Sequence, residues 1–382
     1  MDSYKVLIVL ALSSFCMGVT EFVMAGVLLD VQDYFQIDTT LAGYLTTLYA
    51  LGVVIGAPLV SIPLSRYNRR FQLIVNLLVF ALANLVIFLS ENFYLTALAR
   101  FIAGTQHGIF FLIATLTAVQ VAKKGKENLA LSLMASGLTI ALVSGVPLGT
   151  FMGNHWGFKS VFLLIFICTF GALVACVCFM PRLESKQTKL KDLKSALKIP
   201  ALLQSYCVTL CVCGAGIAIY TYVAKLLVEI TQISPQNIAL ILLCYGFFGI
   251  LGNLLGGKLA DRKGAIGALR IVSISQIVIY FGFTFLVYNF YGAILGLCLM
   301  GLVGFAGIAP LKMFAMLNAK KYAKVFEDSA ISVNEASFNV GIAMASFLGG
   351  IVLKYFGVIF TPICAACIVI PALIIVWGKK EI

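Results

Sequence analysis

The sequence predicts an all-α integral membrane protein with about twelve transmembrane helices in two pseudo-symmetric halves of about six. Of its 382 residues, 62% are hydrophobic and 11% are charged, whereas soluble globular proteins have about 45–50% and about 25%. The apolar residues form long unbroken runs rather than the short alternating segments of a β-barrel. A soluble core needs a polar shell, so this composition excludes a soluble enzyme, a disordered chain and a nucleic-acid-binding protein.

The apolar runs are each long enough to cross a bilayer, which takes about 20 residues in a helix. With boundaries at the polar clusters, the predicted spans are 5–29, 40–62, 71–90, 93–121, 129–152, 160–180, 201–227, 236–259, 266–287, 290–317, 328–353 and 357–377. The first run follows Lys5 and has no small-residue cleavage pattern. We therefore expect a retained transmembrane helix there and not a signal peptide.

Lysine and arginine are concentrated in alternate loops, which indicates the topology. The basic loops contain Lys5, Arg66, Arg69, Arg70, Lys123, Lys124, Lys126, the segment 182–198, Lys258, Arg262, Lys263, Lys320, Lys321, Lys324, Lys379 and Lys380. The opposite loops are nearly free of basic residues, with Lys159 and Lys354 as exceptions. By the positive-inside rule both termini are cytoplasmic, and the net charge of +12 reflects topology and not affinity for polyanions.

The only long hydrophilic segment, 181–200, divides the chain into two bundles, 1–180 and 201–382, joined by a cytoplasmic linker. The halves resemble each other in sequence. Tyr49 and Gly56 align with Tyr245 and Gly252 at a constant offset, and Arg66 aligns with Arg262. Weak internal symmetry of this kind is typical of transporters whose substrate path lies between two repeats.

Eleven cysteines are present, most of them inside apolar runs. We expect them to be small hydrophobic residues that face lipid or neighbouring helices. Cys211-Val212-Cys213 lacks a C-x-x-C spacing and histidine partners, so no metal or redox site is predicted.

The loop after the eighth span reads Gly256-Gly257-Lys258-Leu259-Ala260-Asp261-Arg262-Lys263-Gly264. Its glycines permit close helix approach, and Asp261 at a helix end can hold charged partners. This loop resembles the Gly-x-Leu-Ala-Asp-Arg-x-Gly-Arg signature of the major facilitator superfamily, and the resemblance implies the major facilitator fold. We therefore expect a gating loop at Gly257, Asp261, Arg262 and Gly264, with Arg66 as the first-half counterpart. The first-half copy lacks the aspartate and the glycines.

The fourth span contains Arg100, Gly104, His107, Gly108 and Phe111 on one helical face. This stretch resembles the superfamily's Arg-x-x-x-Gly signature. A cation in a membrane helix usually faces a cavity or a carboxylate. The alternative is that Arg100 caps the outer end of the helix and snorkels.

The fifth span is rich in glycine and contains Gly145, Pro147 and Gly149. It resembles the fifth helix of proton-driven exporters of the superfamily, although the proline is shifted by one position. Proline loosens a helix, and we expect the glycines to pack closely against the opposite half. A purely structural kink would produce the same pattern.

The first span carries Glu21 in the string Thr20-Glu21-Phe22, about sixteen residues from Lys5 and so well inside the bilayer. Burial disfavours the charged form of a carboxylate, which makes Glu21 a candidate proton carrier. The string is similar to one in a drug:proton antiporter branch that includes sugar-efflux and purine-efflux proteins. The alternative is a carboxylate that is hydrogen-bonded for structural reasons.

Two sets of residues are predicted to carry out transport, one for proton coupling and one for substrate binding. The proton-coupling set is Glu21, Arg100, His107 and Glu335, and Asn339 lies one turn beyond Glu335 in a Phe-Asn-x-Gly string that also resembles the exporter branch. The substrate cavity is predicted to contain Glu21, His107, Phe111, Tyr220, Tyr245, Lys312, Glu335 and Asn339. Lys312 follows a predicted break at Gly307–Pro310 and either binds an anionic group or snorkels. Lys225 and Glu229, spaced i, i+4, are expected to form a local ion pair.

The resemblance implies a secondary active transporter, a proton-coupled antiporter that exports a sugar, nucleoside or drug and confers drug resistance. A facilitator or proton symporter that imports a nutrient is the alternative, and an intramembrane enzyme is a remote third because the ionisable residues are scattered. No Walker A string occurs, so the proton gradient replaces any cofactor. The expected partners are a small-molecule substrate, protons and lipid, without nucleic acid. We expect a monomer in a bacterial inner membrane.

Overall fold

The computed structural model describes residues 3–56, 64, 66–123, 127–184 and 194–379. The described ranges are helical and contain no β strand. The chain divides into two compact units, one comprising Met1–Ile37 and Leu48–Thr188, the other Asp38–Thr47 and Lys189–Ile382.

The first nine helices in chain order are α1 (Ser3–Phe22), α2 (Met24–Phe35), α3 (Thr39–Ile55), α4 (Arg69–Leu89), α5 (Phe93–Val121), α6 (Glu127–Ile140), α7 (Val146–Trp156), α8 (Phe158–Phe179) and α9 (Pro200–Gly214). A π-helical turn, Ala141–Gly145, joins α6 to α7. The remaining helices are α10 (Ile217–Tyr220), α11 (Val223–Glu229), α12 (Pro235–Leu286), α13 (Phe290–Ala306), α14 (Ile308–Tyr322), α15 (Glu327–Phe356) and α16 (Thr361–Trp377).

Ten described helical segments are long and apolar enough to cross a membrane. One of them, α12, has 52 residues and would extend about 78 Å, far more than the bilayer's hydrocarbon thickness of about 30 Å. Gly264, with φ 69° and ψ 171°, breaks it into two spans. With α3 as a shorter apolar helix, the described residues give the twelve spans that hydropathy predicts.

The predicted boundary at Asn289 is confirmed, because this residue caps the N-terminus of α13. Its side chain accepts a hydrogen bond of 2.7 Å from the amide of Gly292. Asn92 caps α5 in the same way, accepting from the amides of Tyr94 and Leu95. Such caps satisfy amides that have no partner within the helix. The predicted break at Gly307 is confirmed as well, since this residue separates α13 from α14.

The repeat in the sequence corresponds to the same contact in both units. A Cβ at Gly104 would overlap the carbonyl oxygen of Tyr49, and a Cβ at Gly301 would overlap that of Tyr245. Likewise, Gly56 lies against the carbonyl of Thr105, and Gly252 against that of Leu302. Each glycine therefore lets two helices of its unit approach to backbone contact.

The glycines of the fifth predicted span pack against α1 and α2 of their own unit. A Cβ at Gly145, Gly149 or Gly153 would clash with a methyl group of Val19, Val23 or Val27, respectively. The expectation that Gly145 and Gly149 face the opposite half is therefore wrong. Glycines at every fourth residue form one face of the helix, but the sequence does not identify which neighbour occupies that face.

Pro147 explains the π-helical turn that precedes it. Proline has no amide hydrogen, and its ring crowds the carbonyl four residues earlier, here Val143. The widened turn Ala141–Gly145 contains that carbonyl. The predicted loosening of this helix is thus present as a local change of helix type.

The described ends of the predicted linker pack against their own units. The carbonyl of Leu183 accepts a hydrogen bond of 2.9 Å from the amide of Arg69. At the other end, Ala196 is buried in a cluster with Leu202, Tyr206 and Ala319. Residues 185–193, together with Lys124, Lys126 and Lys380 of the predicted basic loops, lie outside the described residues.

Lys159, an exception to the charge pattern, has a local partner. Its Nζ donates a hydrogen bond of 2.6 Å to the hydroxyl of Tyr34 and lies 4.5 Å from the centroid of that ring. The contact ties the start of α8 to the end of α2.

Candidate functional site

The first unit contains a buried polar cluster formed by Glu21, Tyr49, Arg100 and His107. Arg100 is 0% exposed, Tyr49 1%, and Glu21 and His107 6% each. Three helices supply them: α1 supplies Glu21, α3 supplies Tyr49, and α5 supplies the other two. Three of the four predicted proton-coupling residues therefore lie together. Polar groups at this depth are costly to bury and usually have a function.

Arg100 reaches α1 where that helix is interrupted. Its Nη1 donates a hydrogen bond of 2.6 Å to the carbonyl of Thr20. In a regular helix this carbonyl would accept from the amide of Met24, but α1 ends at Phe22 and α2 begins at Met24. Arg100 thus stabilises a broken helix directly beside Glu21, and the alternative in which it snorkels to the outer surface is wrong.

Tyr49 connects the arginine to the histidine. The guanidinium carbon of Arg100 lies 4.4 Å from the centroid of the Tyr49 ring. The Tyr49 hydroxyl lies 2.8 Å from Nδ1 of His107 and donates a bond of 3.4 Å to the carbonyl of Met17. Both bonds form together when Nδ1 of His107 carries the proton and donates to the hydroxyl. His107 then acts as a hydrogen-bond donor through Nδ1.

Glu21 lies near Arg100 but does not form an ion pair with it. The two charges interact electrostatically, but the described residues contain no Glu21–Arg100 ion pair within 4.0 Å. Nε and Nη2 of Arg100 are buried and have no hydrogen-bond partner there. The guanidinium therefore has N–H groups that an ionised Glu21 carboxylate can accept after a small side-chain rotation.

The second unit has its own charged pair, Lys312 and Glu335. Lys312 Nζ lies 3.6 Å from Glu335 Oε1, and the two side chains are 64% and 54% exposed. Lys312 therefore has an anionic partner within its own unit. The two members of the predicted cavity set pair with each other between α14 and α15.

Asn339 and Cys213 adjoin this pair. Asn339 lies one helical turn beyond Glu335, and its Oδ1 is buried without a hydrogen-bond partner in the described ranges. The thiol of Cys213 interacts electrostatically with both Glu335 and Lys312. Cys213 was expected to be an inert small hydrophobe, so sequence reasoning missed its position.

The aromatic residues of the predicted cavity are placed within their own units. Tyr220 and Tyr245 stack with ring centroids 4.8 Å apart and are 3% and 6% exposed. Phe111 packs on His107 with centroids 4.9 Å apart. Tyr49 was one aromatic among several in the sequence, and its bond to His107 had no signal there beyond its alignment with Tyr245.

The first turns of α3 belong to the second unit and contact Tyr222, α11 and α15. Thr40 donates a bond of 3.3 Å to the carbonyl of Gly350, and a Cβ at Gly43 would overlap the Tyr222 ring. Lys225 forms the expected ion pair with Glu229 at 3.4 Å and also donates a bond of 3.1 Å to Thr39.

The predicted gating loop is exposed. Asp261, Arg262 and Arg66 are exposed, and within the described part of the chain Asp261 has no hydrogen bond or ion pair. Gly256 allows close approach to the carbonyl of Ala306, whereas a Cβ at Gly257 would have only Ala309 at 4.0 Å. The loop's conformational break is at Gly264, which adopts a positive φ.

A sequence profile described as Major Facilitator Superfamily matches residues 10–326. The chain belongs to the major facilitator superfamily. It is 33% identical over 377 residues to the MFS-type transporter YtbD of Bacillus subtilis, covering 98% of this chain and 95% of that protein. It is 31% identical to the inner membrane transport protein YdhP of Escherichia coli, covering 97% and 95%, and 28% identical to the transporter AraJ of the same species, covering 91% and 88%.

Among solved structures, the chain is similar to a D-xylose-proton symporter, with a TM-score of 0.82, 14% sequence identity and 99% of each chain covered. At this identity the likeness concerns the fold. The predicted twelve-helix major facilitator fold is confirmed, and the protein is a multi-pass membrane transporter of this superfamily.

Proposed function

We propose that this superfamily member is a proton-coupled antiporter that exports a small organic solute, such as a sugar, a nucleoside or a drug-like cation. One observation carries the proposal: Glu21 is buried at membrane depth beside Arg100 and forms no ion pair with any residue that the structure describes. A carboxylate with neither an ion pair nor a hydrogen bond is more stable protonated in a medium of low dielectric constant. A nearby cation with unused N–H groups stabilises its ionised form.

The proposed cycle alternates between these two forms. Protonation of Glu21 removes its attraction to Arg100, and deprotonation allows the carboxylate to accept from Nε or Nη2 of Arg100. The proton crosses inward on Glu21 while the solute leaves, by alternating access. His107 positions Tyr49 and need not titrate. We assign Glu335 to the substrate instead of the proton, because its exposed carboxylate already pairs with Lys312.

The proton gradient supplies the energy, and the proposal includes no cofactor. Among the described residues, no three His, Cys, Asp or Glu side chains lie together as a metal site would require. We further propose that the protein acts as a monomer in the inner membrane with both termini cytoplasmic, so that its basic loops face the anionic inner leaflet. The exposed loop containing Asp261 and Arg262 would then act at that surface.

The test uses the purified full-length protein in liposomes with an imposed pH gradient. Tritiated pentose, purine nucleoside and lipophilic cation are offered separately. We expect at least one to move against its own gradient, in the direction opposite to the proton. Substrate flux that does not depend on the pH gradient would indicate a facilitator. Substrate flux in the same direction as the proton would indicate a symporter. Either result would overturn the proposal.

The matched control is a second carboxylate that lies outside the buried cluster. Glu229→Gln removes a carboxylate that is 54% exposed and paired only locally with Lys225. Its gradient-driven flux should equal that of the wild type. Equal losses in Glu21→Gln and Glu229→Gln would mean that the loss does not come from the buried position.

A further inference from the structure

We propose that Lys312, Glu335 and Asn339 form the recognition site for the polar end of the substrate, and that this end is zwitterionic, with an ammonium and a carboxylate as in an α-amino acid. The assignment rests on the proposed function in one respect, namely that the chain carries a small solute. It replaces the solute classes named there, a sugar, a nucleoside or a drug-like cation, with a zwitterion, and it adds the residues that distinguish this class.

The depth of the pair indicates a site within the membrane. Lys312 lies ten residues before Tyr322, the last residue of α14, and Glu335 lies eight residues after Glu327, the first of α15. At 1.5 Å per residue these positions are about 15 Å and about 12 Å from their helix ends. Two half-exposed charges at this depth face an aqueous cavity and not lipid, because a charge in hydrocarbon is costly.

The pair does not serve mainly to hold α14 and α15 together. The 3.6 Å separation is long, and both side chains are more than half exposed. Exposed ion pairs of this kind contribute little to stability. By the offset of Gly104 to Gly301, the position in the first half that corresponds to Lys312 is Thr115, which is uncharged. The repeat therefore does not require a charge pair at this place in the fold.

Charge balance selects the ligand. A singly charged ligand would be attracted by one member of the pair and repelled by the other, which lies only 3.6 Å away, so its net attraction to the pair is small. A neutral polyol would replace the ion pair with weaker neutral hydrogen bonds, since charge-assisted bonds are about twice as strong. A zwitterion gives a carboxylate to Lys312 and an ammonium to Glu335, so both charges keep an opposite partner.

Asn339 strengthens the choice of an ammonium. An ammonium has three N–H donors, so one carboxylate does not satisfy it. Oδ1 of Asn339 is a second acceptor, one turn from Glu335, and has no hydrogen-bond partner within the described residues. Because Oδ1 is buried in this conformation, a ligand ammonium that contacts Glu335 would reach this unused acceptor after a rotation of the Asn339 side chain.

The experiment uses Cys213, whose thiol is within electrostatic reach of the pair. Full-length protein in nanodiscs is treated with N-ethylmaleimide at equal pH on both sides, and alkylation of the Cys213 peptide is followed by mass spectrometry. The probes are an equimolar mixture of the standard amino acids without cysteine, whose thiol would consume the reagent, the matching mixture of decarboxylated amines, the matching deaminated acids, and a polyol mixture. We expect the amino acids to slow alkylation at concentrations at least tenfold below those required of the other three mixtures.

Variants show whether the protection comes from the pair. Lys312→Gln and Glu335→Gln should each raise the protecting concentration about tenfold, the cost of about one charge-assisted hydrogen bond. The exchange Lys312→Glu with Glu335→Lys should recover part of this loss, because a zwitterion can bind in the reverse orientation. Lys320→Gln, in the exposed last turn of α14, is the control and should behave like the wild type. Unchanged thermal unfolding of the variants shows that they fold.

Absence of protection by amino acids, or equal protection by a singly charged mixture, overturns the inference. Because the assay has no pH gradient, it separates this inference from the proposed antiport. Protection without gradient-driven flux would refute the coupling and leave the recognition site standing. Gradient-driven flux of solutes that never protect Cys213 would refute the recognition site and leave the coupling standing.

Discussion

The Tyr49 hydroxyl lies 2.8 Å from Nδ1 of His107, while the ring of the same tyrosine lies under the guanidinium of Arg100. One side chain thus contacts two buried ionisable residues of α5, Arg100 and His107. The hydroxyl and the ring can be removed separately, so their contributions can be separated by mutation.

Tyr49→Phe should cost about 1 kcal/mol of stability, because it removes the hydroxyl and leaves Nδ1 of His107 without its partner. The cation–π contact remains. Tyr49→Leu removes the ring as well and should cost about 1–2 kcal/mol more, since a desolvated cation–π contact contributes that much. Thermal unfolding in detergent measures both variants. Equal losses in the two would contradict a role of the ring in supporting Arg100.

Arg100→Lys should keep the charge and lose most of the gradient-driven flux, more than tenfold. Lysine has no planar fork that reaches the Thr20 carbonyl while another N–H group remains for Glu21. With that carbonyl released, the amide of Met24 can bond to it and the helix break closes. Hydrogen exchange around residues 20–26 should therefore slow in the variant. Wild-type flux together with wild-type exchange would show that the arginine geometry is unimportant.

Gly137→Ala should destabilise the first unit by about 1–3 kcal/mol, because its Cβ would overlap the carbonyl oxygen of Ala11 in α1. Gly171→Ala is the matched control, since nothing lies within 4 Å of a Cβ at that position of α8. The control should be neutral or slightly stabilising, as alanine favours a helix over glycine. Thermal unfolding compares the two, and similar midpoints would refute the close packing of α1 on α6.

Thr40 belongs to the predicted bundle 1–180 and Gly350 to the predicted bundle 201–382, so alternating access by the proposed antiporter should open their contact during transport. A Cβ at Gly350 would lie 3.1 Å from Cγ2 of Thr40, so cysteines at these two positions are near enough to form a disulfide. In a background without the eleven native cysteines, oxidation of Thr40→Cys with Gly350→Cys should abolish flux, and reduction should restore it. Full flux through the oxidised protein would show that this contact is static.

Hydropathy was sufficient to predict the spans, because a membrane helix must be long and apolar whatever its neighbours are. The break at Gly264 and the cap at Asn289 were predictable for similar reasons, since both depend on local backbone chemistry. The neighbour of the fifth span's glycine face was not predictable. Glycine spacing defines a face of a helix, whereas the partner depends on how the helices pack.

The sequence is limited in the same way for the functional site, because it does not identify which residues become neighbours. Glu21, Arg100 and His107 were candidates individually because each is an ionisable residue inside an apolar run. The Lys312–Glu335 pair was missed because the two lie on different helices and no helical spacing relates them. The Thr20 carbonyl and Oδ1 of Asn339 gave no sequence signal, since their importance comes from a partner gained or lacking in the folded chain.

The central claim is that Glu21 carries the coupled proton, and Glu21→Gln tests it most directly. Glutamine matches the shape of protonated glutamate, but it cannot release a proton. With a substrate identified by the liposome assay, we predict that Glu21→Gln performs substrate exchange across the membrane at nearly the wild-type rate and accumulates none under a pH gradient. Uphill, gradient-driven accumulation by Glu21→Gln would contradict the account.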